Sequence, residues 1–165
     1  MLTFEETEKA LQEFTDYIVR ESKRKAPKAS GDLKRSIKGD VKVSANSFEA
    51  FITAEDYLPF IDKGVSGTEK KYNTPFSYKN KKPPLRFLQT WLKRKTGAFL
   101  ARDRRSSAFA LQNSIFKKGI KPTRFFTIPF EKAFKQLPNE LVESYALDIE
   151  DFMDFVLNNK NNANV

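Results

Sequence analysis

Apolar residues recur at helical spacing at both ends of the chain and alternate with polar ones between them. Phe4, Leu11, Phe14 and Ile18 fall on one face of a helix over residues 4–25. Thr3 followed by Glu6 forms a capping box for its first free N–H groups. The basic run "RESKRK" suits its negative C-terminal end, and Pro27 stops it. Ile37, Val41 and Val43 then alternate with Lys38, Asp40 and Lys42, and Phe48, Ala50 and Ile52 alternate again after the turn "SANS". This pattern predicts a β-hairpin with one buried and one wet face. "YLPFIDKG" continues as a third short strand or a turn of helix, which Pro59 leaves open.

Residues 64–84, "GVSGTEKKYNTPFSYKNKKPP", read as a long exposed loop or arm. Pro84 opens a helix with Leu85, Leu88, Trp91 and Leu92 on one face, ending near residues 95–97. Asp103 caps the next helix, whose face is Ala108, Leu111 and Ile115, and Lys117, Lys118 and Gly119 close it. Thr127 and Pro129 open a C-terminal helical region that Leu137–Pro138 kinks or divides. Beyond it, Leu141, Val142, Tyr145, Ile149, Phe152, Met153 and Val156 form an apolar stripe opposite Glu140, Glu143, Glu150 and Asp154. The expected fold is α+β: a small antiparallel sheet packed by the N- and C-terminal helices, with a long loop and two helices inserted. One domain over residues 1–157, with a frayed tail at 158–165, accommodates these elements.

Composition narrows the chemistry. The chain has 165 residues, 39% of them hydrophobic, which suffices for a buried core, and 16 are Phe. It has neither Cys nor His. That excludes disulfides, Cys- or His-based zinc sites, thiol nucleophiles and a Ser-His-Asp relay. No apolar run approaches the ~20 residues of a membrane span, and the acidic, amphipathic opening is read as helix and not as a signal peptide. The expectation is a soluble protein without a membrane partner.

The net charge of +9 is uneven: residues 1–130 carry 27 basic and 14 acidic side chains, and residues 131–165 carry 3 and 7. A basic body with an acidic end fits contact with nucleic acid, or complementary surfaces between neighbouring subunits. Nine basic residues lie between Arg20 and Lys42, and Lys34, Arg35, Lys38 and Lys42 are candidates for sequence-independent phosphate contact. "KYNTPFSYKNKK" interleaves aromatics with lysines in the manner of a single-strand platform. "GVSGT" lacks the glycine spacing and the Lys–Ser/Thr pair of a Walker loop. Asp62 with Glu69, Lys70 and Lys71 loosely imitates the carboxylates and lysine of a Mg²⁺ nuclease, but in loop sequence that offers them no rigid support. Asp148, Glu150, Asp151 and Asp154 read as the wet face of a helix.

Three segments, in order, resemble the neck or tail-completion proteins that join head to tail in tailed bacteriophages. "APKASGDLKRSI" (26–37) is similar to that family's Ala-Pro followed by Ser/Thr-Gly-x-Leu-Arg/Lys-x-Ser-Ile. "YLPFIDKGVSGT" (57–68) looks like its Tyr-x-x-Phe/Tyr-Val/Ile-Glu/Asp-x-Gly-Thr. "GIKPTRFFTIPFEKAF" (119–134) is similar to the Pro-x-x-Phe-Phe/Leu-x-x-Ala/Phe opening of its last helix. Residues 69–118 depart from the pattern, being longer than in typical members and closer to larger versions in podovirus-like phages. The resemblance implies a ring-forming virion protein, built in the host cytoplasm and resident in the neck, whose partners are copies of itself, portal or adaptor proteins and tail proteins. It implies no active site, cofactor or metal. Gly31 and Gly119 would serve backbone turns, and Phe125, Phe126 and Phe130 would anchor the last helix. Tyr57, Phe60, Asp62, Gly64, Gly67, Tyr72, Phe76 and Tyr78 would be candidates for subunit interfaces. Two other classes stay open: nonspecific nucleic-acid binding, and a Mg²⁺ nuclease.

Overall fold

The computed structural model describes residues 4–27, 31–44, 47–96 and 104–162, with side chains at all of these except 91, 93–96, 104, 105 and 155–162. The elements run α1 (Glu5–Lys25), α2 (Gly31–Ser36), β1 (Lys38–Ser44), β2 (Ser47–Thr53), α3 (Leu58–Lys63), α4 (Leu85–Thr96), α5 (Arg104–Lys118) and α6 (Thr127–Asn162). They form an α+β fold whose two-stranded antiparallel sheet packs against α1 and α6, with the other helices between in sequence. The chain divides into two compact units. The first comprises Met1–Lys25, Ser36–Ala54 and Ile128–Val165, and the second Ala26–Arg35 and Glu55–Thr127. Among the described residues, no helix is long and apolar enough to cross a membrane.

In the first unit, β1 and β2 pair in register from Lys38↔Thr53 to Ser44↔Ser47. Val41 and Val43 are half-buried while Lys38, Asp40 and Lys42 are exposed, so the alternation expected of β1 holds. On β2, Phe48 and Ile52 turn inward, but Ala50 is exposed, contrary to the expected inward set. Residues 45 and 46 of the expected turn lie outside the described residues. Helix α1 presses on this hairpin so closely that a Cβ on Gly39 would sit 2.2 Å from Thr15 Cγ2. Its buried face contains Leu11, Phe14 and Ile18 as the spacing predicts, and also Thr7, Thr15 and Ser22.

Those hydroxyls on an apolar face need partners. Thr15 Oγ1 donates to the Leu11 carbonyl at 2.8 Å, whereas Ser22 Oγ is buried without a partner among the described residues. Thr7 has a more distant one. Asp148, from the middle of α6, accepts the Thr7 hydroxyl at 2.5 Å and the backbone N–H groups of Thr7 and Glu6 at 3.0 and 3.1 Å. Asp148 is only 4% exposed. The expected wet-face role is therefore wrong for this residue, while Glu150, Asp151 and Asp154 are exposed as expected. Thr3 of the expected capping box lies outside the described residues.

Rings complete the packing of α6. Phe4 meets Phe48 edge-on at 5.3 Å and stacks on Tyr145 at 5.9 Å, and Phe14 meets Phe130 at 6.3 Å. Pro138 sits inside α6, which continues through it, so of the two outcomes expected there, a kink or a division, the division does not occur. Helix also covers residues 158–162, part of the expected frayed tail. The apolar stripe of α6 is only partly covered: Leu141 and Phe152 are half-buried, but Val142 is 70% and Met153 52% exposed. Length explains this. A 36-residue helix spans roughly 54 Å at 1.5 Å per residue. Strands of 7 residues span only roughly 24 Å.

In the second unit, "YLPFIDKG" is helical, since Pro59 lies in the first turn of α3 where its missing N–H costs nothing. Helices α4 and α5 pack together, with Leu85, Leu88 and Leu92 half-buried and Ala108 fully buried. The Trp91 side chain and the expected cap Asp103 lie outside the described residues.

Removing the carboxylate of Asp148 leaves a buried hydroxyl and two N–H groups unmatched. Asp148→Ala should lower unfolding free energy by about 3 kcal/mol, and Asp148→Asn by about half as much. The check is the urea midpoint at unchanged m-value; a midpoint that does not move contradicts this role.

Candidate functional site

In the second unit, a set of hydrogen bonds joins residues 61–78 to residues 115–127. Its centre is Asp62, 2% exposed. Asp62 Oδ1 accepts the backbone N–H groups of Phe126 and Thr127 at 2.8 and 3.1 Å, and Oδ2 accepts the Thr127 hydroxyl. The carboxylate thus caps the start of α6, where free N–H groups and the positive end of the helix dipole favour an anion. The Asp62 carbonyl accepts from Thr123 and Arg124, and Arg124 takes a positive φ of 50° to reach it.

Glycines let the two segments interlock. Val65 and Ile120 exchange both backbone hydrogen bonds, at 2.9 and 2.8 Å. A Cβ on Gly67 would lie 2.0 Å from the Lys117 carbonyl oxygen, and one on Gly119 would lie 2.1 Å from that of Val65. Gly119 closes α5 with φ +74°, the left-handed terminus that a glycine after a basic last turn predicts. Gly64 (φ +76°) backs onto Ile120 and Pro122. Gly31, by contrast, simply starts α2, and its position requires no left-handed backbone.

Residues 64–84 do not form the extended arm expected of them. Ser66 N–H donates to the Phe76 carbonyl and Tyr78 N–H to the Ser66 carbonyl, both at 2.8 Å. Ser66 Oγ donates to the Tyr72 carbonyl and accepts the Tyr72 N–H, and Thr74 Oγ1 donates to the Gly64 carbonyl. The N–H groups of Thr68, Glu69 and Lys70 reach the carbonyls of Phe116 and Lys117 at the end of α5. The segment is a strap drawn over that helix end. Polar, glycine-rich sequence permits this because its hydroxyls and N–H groups find backbone acceptors in place of water.

The interface candidates divide accordingly. Asp62, Gly64 and Gly67 are buried in contacts of the chain with itself. Phe60 is exposed and packs on Phe76 at 4.6 Å, Tyr57 is exposed, and Tyr72 and Tyr78 are half-buried. Phe125 is buried as an anchor, whereas Phe130 is exposed on α6. Ser66, Thr74 and Ile120 were not predicted from sequence; only the doubled glycine of "GVSG" marks the place.

The nuclease arrangement is not assembled. Both Asp62 oxygens serve the helix cap, while exposed Glu69 pairs with Lys117 Nζ at 2.9 Å. Among the described residues, no group of three or more acidic side chains could hold a metal ion. The four phosphate-contact candidates are likewise spread out: Lys34 and Arg35 lie on α2, with Arg35 bound to Asp32 at 2.5 Å, and Lys38 and Lys42 lie on β1. The first unit has an open groove of about 430 Å³ lined by residues such as Glu13, Tyr17, Arg20 and Glu140.

No protein-family model matches the chain, and neither a curated protein nor a solved structure is similar to it.

Two outcomes follow from this geometry. Gly67→Ala drives a methyl into the Lys117 carbonyl and should destabilise the protein by about 3 kcal/mol, read from its denaturation midpoint. Burial pushes the Tyr78 phenol above its ordinary value, because it disfavours the phenolate. The penalty is absent at neutral pH and grows as pH rises above about 10. In an ultraviolet titration, Tyr78→Phe should remove a component that ionises above the ordinary tyrosine value; loss of a component at that value contradicts the assignment.

Proposed function

We propose that this chain is a virion structural protein, a subunit of the ring that joins the portal-capped head of a tailed bacteriophage to its tail and lets the genome pass. One observation carries the reading. Two of the three segments behind the resemblance, 57–68 and 119–134, meet at the interlock of Asp62, Gly64, Gly67 and Gly119. Their distinctive residues serve backbone fit, as a structural subunit requires, and Asp62 is engaged in capping.

Surface chemistry supports the same reading. Tyr57 and Phe60 flank the interlock, and Val142, Ile149 and Met153 line α6 along one exposed face. Exposed large apolar side chains at helical spacing suit a surface covered by a neighbouring subunit. A ring supplies such a neighbour to every copy.

The test is location. Antibody against the chain should label purified virions at the head–tail junction, in images of particles with tails attached. Presence in infected-cell extract together with absence from purified virions would overturn the proposal.

A further inference from the structure

The two units carry opposite charge. Counted over the whole sequence, the second unit has 20 basic and 6 acidic side chains, a formal +14, and the first has 10 and 15, a formal −5. Several of the second unit's acids are engaged within it: Asp62 caps α6, Asp32 binds Arg35, and Glu69 binds Lys117. Those two ion pairs leave the unit strongly positive, because its basic side chains outnumber its acidic ones 20 to 6.

The strap concentrates that charge. By tying residues 68–70 to the carbonyls of Phe116 and Lys117, it places Lys70 and Lys71 beside Lys117 and Lys118, which lie more than forty residues further along the chain. Lys82 joins them from the far end of the strap, donating to Asn113 Oδ1 at 2.8 Å with its ammonium 5.7 Å from the centre of the Phe116 ring. Lys70 is held 5.5 Å from the centre of the Tyr72 ring. Lys121 follows just after Gly119, and all six lysines are exposed. Lys71 Nζ donates to the Gly67 carbonyl at 2.8 Å, and this bond, with the rings near Lys70 and Lys82, reduces the conformational freedom that long side chains lose on binding.

We infer that this lysine cluster, at the junction of the strap and the end of α5, binds the phosphate backbone of nucleic acid without reading bases. Lysine is depleted from the cores of protein–protein interfaces, where arginine is preferred, whereas a row of lysine point charges suits phosphates. Among the described residues, the helix at this face is α5, which presents its C-terminal end and not a side placed to enter a groove. The inference does not rest on the assembly role, and either can fail alone.

The test uses the full chain and fluorescence anisotropy with a labelled duplex DNA of about 20 base pairs and a single-stranded RNA of similar length, at salt stepped upward from about 50 mM. Binding should weaken steeply with salt on at least one probe, and the two arms show which nucleic acid is preferred. Lys70→Glu with Lys118→Glu should cut affinity about tenfold or more and flatten the salt dependence. Lys9→Glu with Lys135→Glu, on α1 and α6, changes net charge equally and should cost less than about twofold. Circular dichroism melting establishes that both variants fold; should the first fail to, Lys71→Gln with Lys121→Gln takes its place. Equal loss in both pairs would overturn the site, as would no binding to either probe at the lowest salt. Salt-sensitive self-association abolished by Glu143→Lys with Glu150→Lys, without nucleic-acid binding, would show that the cluster meets the acidic α6 of a second copy, and would also overturn it.

Discussion

Backbone N–H groups at the start of a helix have no partner within it, and burying them unmatched costs more than most single contacts return. In each compact unit the match is a buried aspartate from far along the chain. Asp148 supplies the first turn of α1, and Asp62 supplies Phe126 and Thr127 where α6 begins. A carboxylate accepts several N–H bonds at once and meets the positive end of the helix dipole, so its charge is compensated without a cation. The register of α6 against α1 depends on the first of these contacts. The close approach of the glycine segments depends on the second, because it holds residues 61–64 against 120–127 while Val65 and Ile120 pair.

Periodicity made the elements legible. Helix α1, both strands, α4 and the C-terminus of α5 follow from apolar spacing, prolines and the basic-then-glycine ending, all of which are local signals. What sequence could not convey is where a residue goes when its partner is distant. Asp148 stands among acids on a helix and resembles its solvated neighbours; only the hydroxyl of Thr7, 141 residues away, distinguishes it. Residues 64–84 have the composition of a free arm, and what ties them down is carbonyls at the end of α5 that no local pattern announces. Pro138 carries the opposite lesson: a strong local breaker is overridden by an otherwise continuous helix.

The same geography governs the candidate site. "GVSG" was visible as unusual, and its glycines matter, but for close backbone approach and not for a phosphate. The lysines around it were visible too, although sequence scattered them over fifty residues and fixed no surface. Folding the strap onto α5 turns a compositional bias into a localised field. The acidic first unit carries its excess on α1 and α6, so the modest net charge of the whole chain conceals two strongly different surfaces.

The separation between Thr7 and Asp148 also sets an order in time. On a ribosome adding about 5–20 residues per second, α1 emerges roughly 7–28 s before its acceptor is made. The second unit, apart from its short leading segment, is one continuous stretch and closes its interlock once Thr127 has emerged. The first unit is built from three stretches and must wait for α6. The nascent chain therefore exposes a finished basic unit and an unfinished acidic one, with the side of α1 that meets α6, Phe14 included, uncovered throughout. That interval, more than the completed protein, is when the chain is most open to a chaperone or to premature association.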